Sequence, residues 1–305
     1  MMRAMPAKPP SAPQLVFDRA LVAQRRKRAA ARFGEHDFLV RRVIEEFTDR
    51  LVVINREFPL ALDLGCHRGA LALAELPPGK IGEIVAADLS PAMVARAPGH
   101  RVVADEERLP FRERSFNLVT SALSLHWVND LPGTLIQIRR ALMPDGLFMA
   151  ALFGGDTLTE LRQALQEAEI ECEGGLSPRV SPFVDLRDMG SLLQRAGFAL
   201  PVADTDRVTV RYENMWRLLA ELRGMGETNA LIERRRTPLR RETLMRAAAI
   251  YQEKFGLPDG RIPATFEIVA ITGWSPHESQ QKPLRPGSAR MRLADALGAK
   301  TPPGK

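Results

Sequence analysis

A short apolar run that ends in an acid and a glycine-containing turn constrains the fold of this 305-residue chain more than any other feature. The segment 60–64 is apolar except for Asp63, which is typical of a buried parallel strand. Gly65 and Gly69 let the chain turn tightly, approach a ligand closely and enter a helix, which we predict at 70–73. This combination indicates an α/β protein with a pocket for a nucleotide-type cofactor.

The order of the following segments makes the interpretation more specific. Helical segments, and a turn at 144–146, separate four further apolar runs, at 84–87, 101–104, 116–122 and 147–152. Strands that alternate with helices in this way predict right-handed βαβ units in a parallel sheet.

Acidic residues follow two of these runs. Asp88 is well placed to accept hydrogen bonds from a ribose diol, and Asp105 with Glu106 offers a carboxylate to an adenine amino group. A helix start is predicted just after Asp88, with Ser90 as N-cap and Pro91 at the first helical position.

The pattern Asp63-x-Gly65-Cys66-x-x-Gly69, with this order of strands, resembles the class I S-adenosylmethionine-dependent methyltransferases of the type 11 superfamily. The resemblance runs from about residue 60 to 153. It implies S-adenosyl-L-methionine as the cofactor. It also implies a Rossmann-like sheet of seven strands, the last antiparallel, with helices on both faces.

The resemblance also implies roles for individual residues. The turn 65–69 would lie under the methionine part of the cofactor, and Asp63 would orient the loop and the cofactor's amino group. Asp88 would hold the ribose hydroxyls, and Asp105 would face the adenine. The cofactor-binding residues expected on this basis are Asp63, Gly65, Cys66, Gly69, Asp88, Leu89, Asp105 and Glu106.

One residue departs from the family's turn. His67 stands where the family usually has glycine, so its side chain must point away from the cofactor or narrow the cofactor site.

A nicotinamide-binding Rossmann domain is the competing interpretation. It ranks lower because its Gly-x-Gly-x-x-Gly fingerprint is missing between Gly65 and Gly69.

The second half of the chain completes the predicted sheet. Two partly alternating runs, 202–210 and 264–272, predict the last two strands, and the arginine-rich segment 213–260 predicts a helical insertion over the cofactor edge. Arginines at 234–236, 240 and 241 are expected on a solvated helix face, and only secondarily as a dock for an acidic protein.

Two more helices are predicted after the fifth strand and before the sixth. One opens near 156, where Asp156 or Thr157 could cap it and Glu160 could complete a capping box. The other covers 185–197 and stops at Gly197, a residue suited to a left-handed C-cap.

The predicted domain organisation has four parts. These are a disordered leader at 1–16, N-terminal helices at 17–58, a methyltransferase domain at 59–274 that includes the insertion, and a tail at 275–305.

The segments 273–289 and 157–162 narrow the resemblance. They resemble bacterial relatives of the mitochondrial complex I assembly factor that hydroxylates an arginine, over roughly residues 17–297. The front half also resembles the malonyl-carrier-protein methyl esterases of biotin synthesis. The resemblance implies a protein substrate, with an NADH dehydrogenase subunit as the candidate.

Two reaction types remain open at this point. Methyl transfer requires mainly alignment of the reactants and exclusion of water, whereas hydroxylation requires an oxidant and usually a metal or redox cofactor. The five histidines are scattered, so we expect no metal site. We therefore predict methyl transfer to a protein or carrier-bound substrate. The alternative is an arginine hydroxylase or a non-catalytic assembly factor for complex I.

The sequence identifies no catalytic residue. His126 and Trp127 follow the fourth predicted strand, where such enzymes place substrate-facing residues. A packed aromatic ring and a surface histidine are the competing interpretation.

Composition limits the environment and the partners. Cys66 and Cys172 form no disulfide framework or zinc spacing, and no apolar run approaches the roughly 20 residues of a membrane span. The net charge of +6 permits anionic partners, but the basic residues lack interleaved aromatics, so nucleic acid is not favoured. A cytoplasmic location is expected.

Overall fold

The computed structural model describes residues 15–181 and 186–280. Its strands are β1 (Phe58–Leu64), β2 (Ile81–Asp88), β3 (His100–Val103), β4 (Phe116–Ala122), β5 (Leu142–Phe153), β6 (Ala199–Tyr212) and β7 (Ile262–Trp274). Its α-helices are α1 (Arg19–Ala29), α2 (Phe38–Val53), α3 (Pro91–Val94), α4 (Leu131–Ala141), α5 (Thr159–Glu173), α6 (Leu186–Arg195), α7 (Met215–Met225) and α8 (Arg241–Phe255).

The seven strands form one sheet in the order β3-β2-β1-β4-β5-β7-β6. Strands β1 to β5 pair in parallel, and β7 runs antiparallel to both β5 and β6. The predicted Rossmann-like sheet with an antiparallel last strand is therefore confirmed. Because β1 to β5 are parallel, their carboxyl ends lie at one edge of the sheet, where such folds bind ligands.

Two apolar cores cover the two faces of the sheet. Alternation along β1 sends Ala61 to one core and Leu62 to the other. The first core includes buried residues of α2, α5, α7 and α8, and the second includes those of α4 and α6. Helices on both faces, as predicted, follow from this alternation.

Helix ends agree with local sequence at several positions. The side chains of Asp18, Asp130 and Asn214 each accept a backbone N–H at the start of α1, α4 and α7. Gly197 has φ +86° just after α6, so the predicted left-handed cap is confirmed. Ser90 precedes α3, but its side chain makes no capping hydrogen bond.

Two local predictions are wrong. The segment after the cofactor turn forms only a 3₁₀ turn, Leu71–Leu73, rather than an α-helix. The start of α5 has no capping box, because Leu158 occupies the N-cap position with φ +55° and no side-chain cap. The Glu160 carboxylate instead accepts hydrogen bonds from Thr265 on β7, which ties α5 to the sheet.

The predicted turn at 144–146 lies within β5 rather than before it. Asp145 has φ +61°, and the register with β4 shifts between Phe116 and Leu118. The predicted turn therefore coincides with an irregularity in the pairing of β5 with β4.

The insertion between β6 and β7 is only partly helical. Helices α7 and α8 enclose a non-helical segment, 226–240. Arg234, Arg235 and Arg236 belong to this segment, so the prediction that they lie on a helix face is wrong.

The predicted disordered leader lies outside the described residues except for Leu15 and Val16, and most of the predicted tail, from 281 onward, also lies outside them. No helix within the described ranges is both long enough and apolar enough to cross a membrane.

Candidate functional site

The cofactor turn follows the carboxyl end of β1 and is hydrogen-bonded to the carboxyl end of β2. The backbone N–H groups of Gly65 and Cys66 both donate to the carbonyl of Ala87, at 2.7 and 3.0 Å. This pair of hydrogen bonds places the turn beside Asp88, the last residue of β2.

Asp63 is buried near the end of β1. Its Oδ1 accepts a hydrogen bond from Thr120 Oγ1 at 3.2 Å, and its Oδ2 has no hydrogen-bond partner within the described part of the chain. Burial raises the pKa of this carboxyl to about 7. Asp63 is therefore poised to accept a hydrogen bond from a ligand.

Both glycines of the turn occupy positions that only glycine tolerates well. Gly65 has φ +68°, and a Cβ there would lie 2.1 Å from Ser124 Oγ. Gly69 has φ +79°, and its Cβ would lie 2.8 Å from Pro98 Cδ. Residues that follow β4 and α3 therefore pack closely against the turn.

His67 adopts the glycine-like conformation without being glycine, with φ +50°. Its buried ring stacks on Phe33, and its Nε2 lies 3.0 Å from the carbonyl oxygen of Ala122. Burial lowers the pKa of His67, and the charge of Arg26 adds to this effect. The neutral ring is therefore part of the packing between the turn and the segment before α2.

Asp88 is completely buried at the end of β2. Its Oδ1 accepts from the backbone N–H of Ser90 at 2.7 Å, and its Oδ2 accepts from that of His67 at 3.1 Å. The Nη1 atom of Arg26 lies 3.5 Å from the same Oδ2. The acid therefore joins the cofactor turn, the start of α3 and helix α1.

Asp88, Asp105 and Glu106 form what we call the acid cluster. Helix α1 contributes its cations: Arg19 pairs with Asp105 at 2.8 Å and also with Glu106. Arg26 Nη1 lies 3.1 Å from Glu106 Oε1. Burial alone would raise the pKa of Glu106, but the two arginines lower it to about 2.

Asp105 is expected to face the adenine, and that role stays a prediction, since about a third of its side chain (34%) is exposed. Its carboxylate is held by Arg19 and by the backbone N–H of Glu107. Leu89 is partly buried against the apolar cluster that contains Phe17 and Trp127.

Cys66 is buried among apolar side chains of α3 and β2. Burial raises the pKa of its thiol well above the usual range, so the sulfur remains a neutral thiol.

The segment after β4 carries His126 and Trp127 on a 3₁₀ turn. Only 4% of His126 is exposed, so the expectation of a surface histidine is wrong. Its Nε2 lies 3.0 Å from Glu227 Oε2, and Trp127 Nε1 donates to that same oxygen at 2.9 Å. Burial would raise the pKa of Glu227, but His126 lowers it.

A cavity of about 760 Å³ opens beside this segment. Trp127 and Glu227 line it, together with apolar side chains such as Phe153 at the end of β5. Its lining also carries six arginines and two acids, namely Arg25, Arg179, Arg223, Arg234, Arg235, Arg236, Asp18 and Glu227.

Sequence reasoning missed four side chains of this region: Arg19, Arg26, Ser124 and Glu227. Arg19 and Arg26 are seven residues apart, which places them on one face of α1, so their spacing was a usable signal. Nothing local marks Glu227, because its partners lie about a hundred residues away. Within 15–181 and 186–280, no group of three His, Cys, Asp or Glu side chains is arranged to hold a metal ion.

The parallel sheet with an antiparallel last strand and the acids at its ligand-binding edge define a class I S-adenosyl-L-methionine-dependent methyltransferase. A family model described as a methyltransferase domain matches residues 62–150. The YcgJ protein of Bacillus subtilis has a TM-score of 0.53 at 16% identity, over 77% of this chain and 99% of that one, a likeness that shows the fold alone. S-adenosyl-L-methionine is the cofactor of this class.

Sequence comparison gives the family within this class. Human "Arginine-hydroxylase NDUFAF5, mitochondrial" is 46% identical over 300 residues, which cover 95% of this chain and 86% of the human protein. The malonyl-[acyl-carrier protein] O-methyltransferase of Halorhodospira halophila is 35% identical over 283 residues, covering 90% and 94%. The chain belongs to the family that these proteins represent. The second relative is a methyltransferase and not the expected methyl esterase, and its likeness is not confined to the front half of the chain.

The edge of the sheet fits the cofactor in two respects. The unpartnered Oδ2 of Asp63 suits an amino group, and Asp88 carries a carboxylate at the end of the neighbouring strand. Arg19 and Arg26 of α1 form ion pairs with the carboxylates of the acid cluster.

Proposed function

We propose that this protein transfers a methyl group from S-adenosyl-L-methionine to a protein or carrier-bound acceptor that enters the cavity. The supporting observation is the position of Trp127. Its ring lines the cavity, while its backbone carbonyl accepts a hydrogen bond from Arg19, which also pairs with the acid cluster. The cavity and the proposed cofactor site therefore adjoin the same short segment of chain.

The proposed cofactor residues are those at the ends of β1, β2 and β3. Asp63 would accept from the cofactor's amino group and Asp88 from its ribose hydroxyls, with Asp105 near the adenine. The remaining residues would shape the turn and its walls: Gly65, Cys66, Gly69, Leu89 and Glu106.

The sulfonium of the bound cofactor supplies a methyl group that is already activated toward nucleophiles. The residues of the chain would then mainly align the acceptor and exclude water. Trp127 and Phe153 provide an apolar wall for this purpose. Glu227 holds the indole N–H of Trp127 and one ring nitrogen of His126, so it would fix the wall rather than touch the methyl group.

The charge of the cavity supports an acidic acceptor segment. Six arginines and two acids line the cavity. Two of these arginines, Arg179 and Arg235, form ion pairs with Glu169 and Glu173, which do not line it. An excess of positive charge attracts acidic segments of a partner and repels basic ones.

The second candidate function is that of a protein arginine hydroxylase, or of a non-catalytic factor in complex I assembly. It rests on the name of the human relative, which aligns over nearly the whole chain. An NADH dehydrogenase subunit is the corresponding partner. The malonyl-carrier relative favours methyl transfer instead.

Mass analysis of the substrate separates these functions. We would delete the gene in its host and weigh peptides of the NADH dehydrogenase subunits and of the acyl carrier protein. Loss of one methylene from a peptide supports methyl transfer, and loss of one oxygen from an arginine peptide supports hydroxylation. If neither mass changes while complex I assembly fails, the non-catalytic role is correct.

We propose a cytoplasmic location for this chain, whereas the name of the human relative places that protein in mitochondria. Fractionation of host cells with an antibody to the chain tests this proposal, and recovery in a membrane fraction would contradict it.

A further inference from the structure

Helix α1 covers the acid cluster with charged side chains. Arg26 is 1% exposed, and Asp88 and Glu106 are 0% exposed, so the guanidinium and both carboxylates are shut off from solvent. Arg26 Nη2 also donates to Ser124 Oγ at 2.8 Å, and that hydroxyl donates to Glu106 at 2.6 Å. A continuous polar network therefore fills the space between α1 and the cofactor turn.

Polar contacts make up a large part of the attachment of α1 to the rest of the protein. Its buried residues are Val22, Arg26 and Ala29, whereas α2 buries six apolar side chains. Asp18 at the start of α1 adds two more polar contacts, a backbone hydrogen bond to Ala230 and an ion pair with Arg234. Water or a polar ligand can replace the contacts of an ion pair one by one, whereas no such replacement exists for the contacts of an apolar core.

The same network blocks the proposed cofactor residues. Asp88 has no exposed surface, and the Arg26 guanidinium lies against its Oδ2. Asp105 and Glu106 are held by Arg19. A ligand can reach the buried Asp88 and Glu106 only if Arg26 and Arg19 leave them, whereas 34% of the Asp105 side chain is exposed.

We propose that α1 is a latch on the cofactor site, which undocks so that the cofactor replaces Arg19 and Arg26 at the acid cluster. This inference rests on the proposed cofactor residues. The closed form binds no cofactor, so the observed affinity equals the intrinsic affinity multiplied by the fraction of molecules with α1 undocked.

Weakening the latch should therefore tighten cofactor binding. Arg19→Gln removes the pairs with Asp105 and Glu106 but leaves Arg26 in place, so Glu106 keeps a cation. We expect S-adenosylhomocysteine to bind this variant about tenfold more tightly, the order expected for one charge-assisted hydrogen bond. Arg112→Gln, on an exposed loop, is the charge-matched control and should bind as the wild type does.

Hydrogen exchange gives a readout that needs no activity. We would compare amide exchange of the full chain with and without S-adenosylhomocysteine, with α2 as the internal reference. The latch predicts that ligand protects the turn 65–69 while exchange in α1 becomes faster. Protection of α1 together with the turn, or weaker binding by Arg19→Gln, would overturn the latch but leave the cofactor site intact. Absence of binding at the turn would refute the cofactor residues themselves, and the latch with them.

Discussion

His67 stacks on Phe33 with ring centroids 4.9 Å apart and ring planes 13° apart, although it stands inside the cofactor turn. The ring thus points into the protein, toward the segment that precedes α2. Its backbone N–H, not its side chain, contacts Asp88. This geometry separates the effect of the ring on stability from the effect of the turn on ligand binding.

We predict that His67→Gly folds but is less stable by about 1–2 kcal/mol. The loss of a buried ring leaves a cavity, and the relief of a positive φ offsets only about 1 kcal/mol of the cost. Affinity for S-adenosyl-L-methionine should stay the same or rise, since the backbone contact to Asp88 remains. Chemical denaturation and calorimetry measure the two effects. A large loss of affinity at unchanged stability would mean that the ring itself contacts the cofactor.

Gly65→Ala should destabilise the protein by about 2–4 kcal/mol, because it combines a positive φ with a collision at Ser124. Ser124 cannot yield freely, since it is bonded to Arg26 and Glu106. Gly155→Ala is the matched control, because nothing lies within 4 Å of its Cβ. Equal melting temperatures for the two variants would contradict the tight closure of the turn.

The sheet was predictable from the sequence, because the spacing of apolar residues and the order of strands and helices can be read directly along the chain. The range 116–122 was predicted for β4 and is observed without change. The acids Asp63 and Asp88 were also identified, because each ends a strand of an alternating βα pattern. The role of Arg26 was not predictable from the local pattern, since its partners Asp88 and Glu106 are distant in sequence and are brought to α1 only by the fold.

Asp63 gives the protein a distinctive dependence on pH. Its folded-state pKa, about 7, lies above the ordinary value of 3.8, so the folded state holds the proton more tightly than the unfolded state. The resulting stabilisation is present at low pH and is lost as the pH rises from about 4 to 7.

Asp63→Asn should remove this dependence. The amide keeps an acceptor for Thr120 and carries no charge, so the variant should gain stability relative to the wild type between pH 4 and pH 7. Melting temperatures of both proteins across this range test the prediction. A constant difference between them would show that Asp63 titrates normally.

Glu227→Ala should lower the free energy of unfolding of the protein by about 1–3 kcal/mol, because Trp127 and His126 in the cavity wall lose the acceptor that they share. Glu227→Gln retains an acceptor oxygen and should lose less. Tryptophan fluorescence should shift in the alanine variant as the indole of Trp127 loosens. If both variants melt and fluoresce alike, Glu227 does not hold this wall.

Calorimetric titration of the full chain with S-adenosyl-L-methionine, for the wild type and for Asp88→Ala, tests the cofactor assignment most directly. Hydrogen bonds to a charged group contribute about 1.5–3 kcal/mol each, so the variant should bind at least about tenfold more weakly. Arg26 retains Glu106 in this variant, so α1 still has a partner in the acid cluster. We predict that the wild type binds S-adenosyl-L-methionine saturably and that Asp88→Ala binds it more weakly. No binding by the wild type, or equal binding by both proteins, would contradict the account.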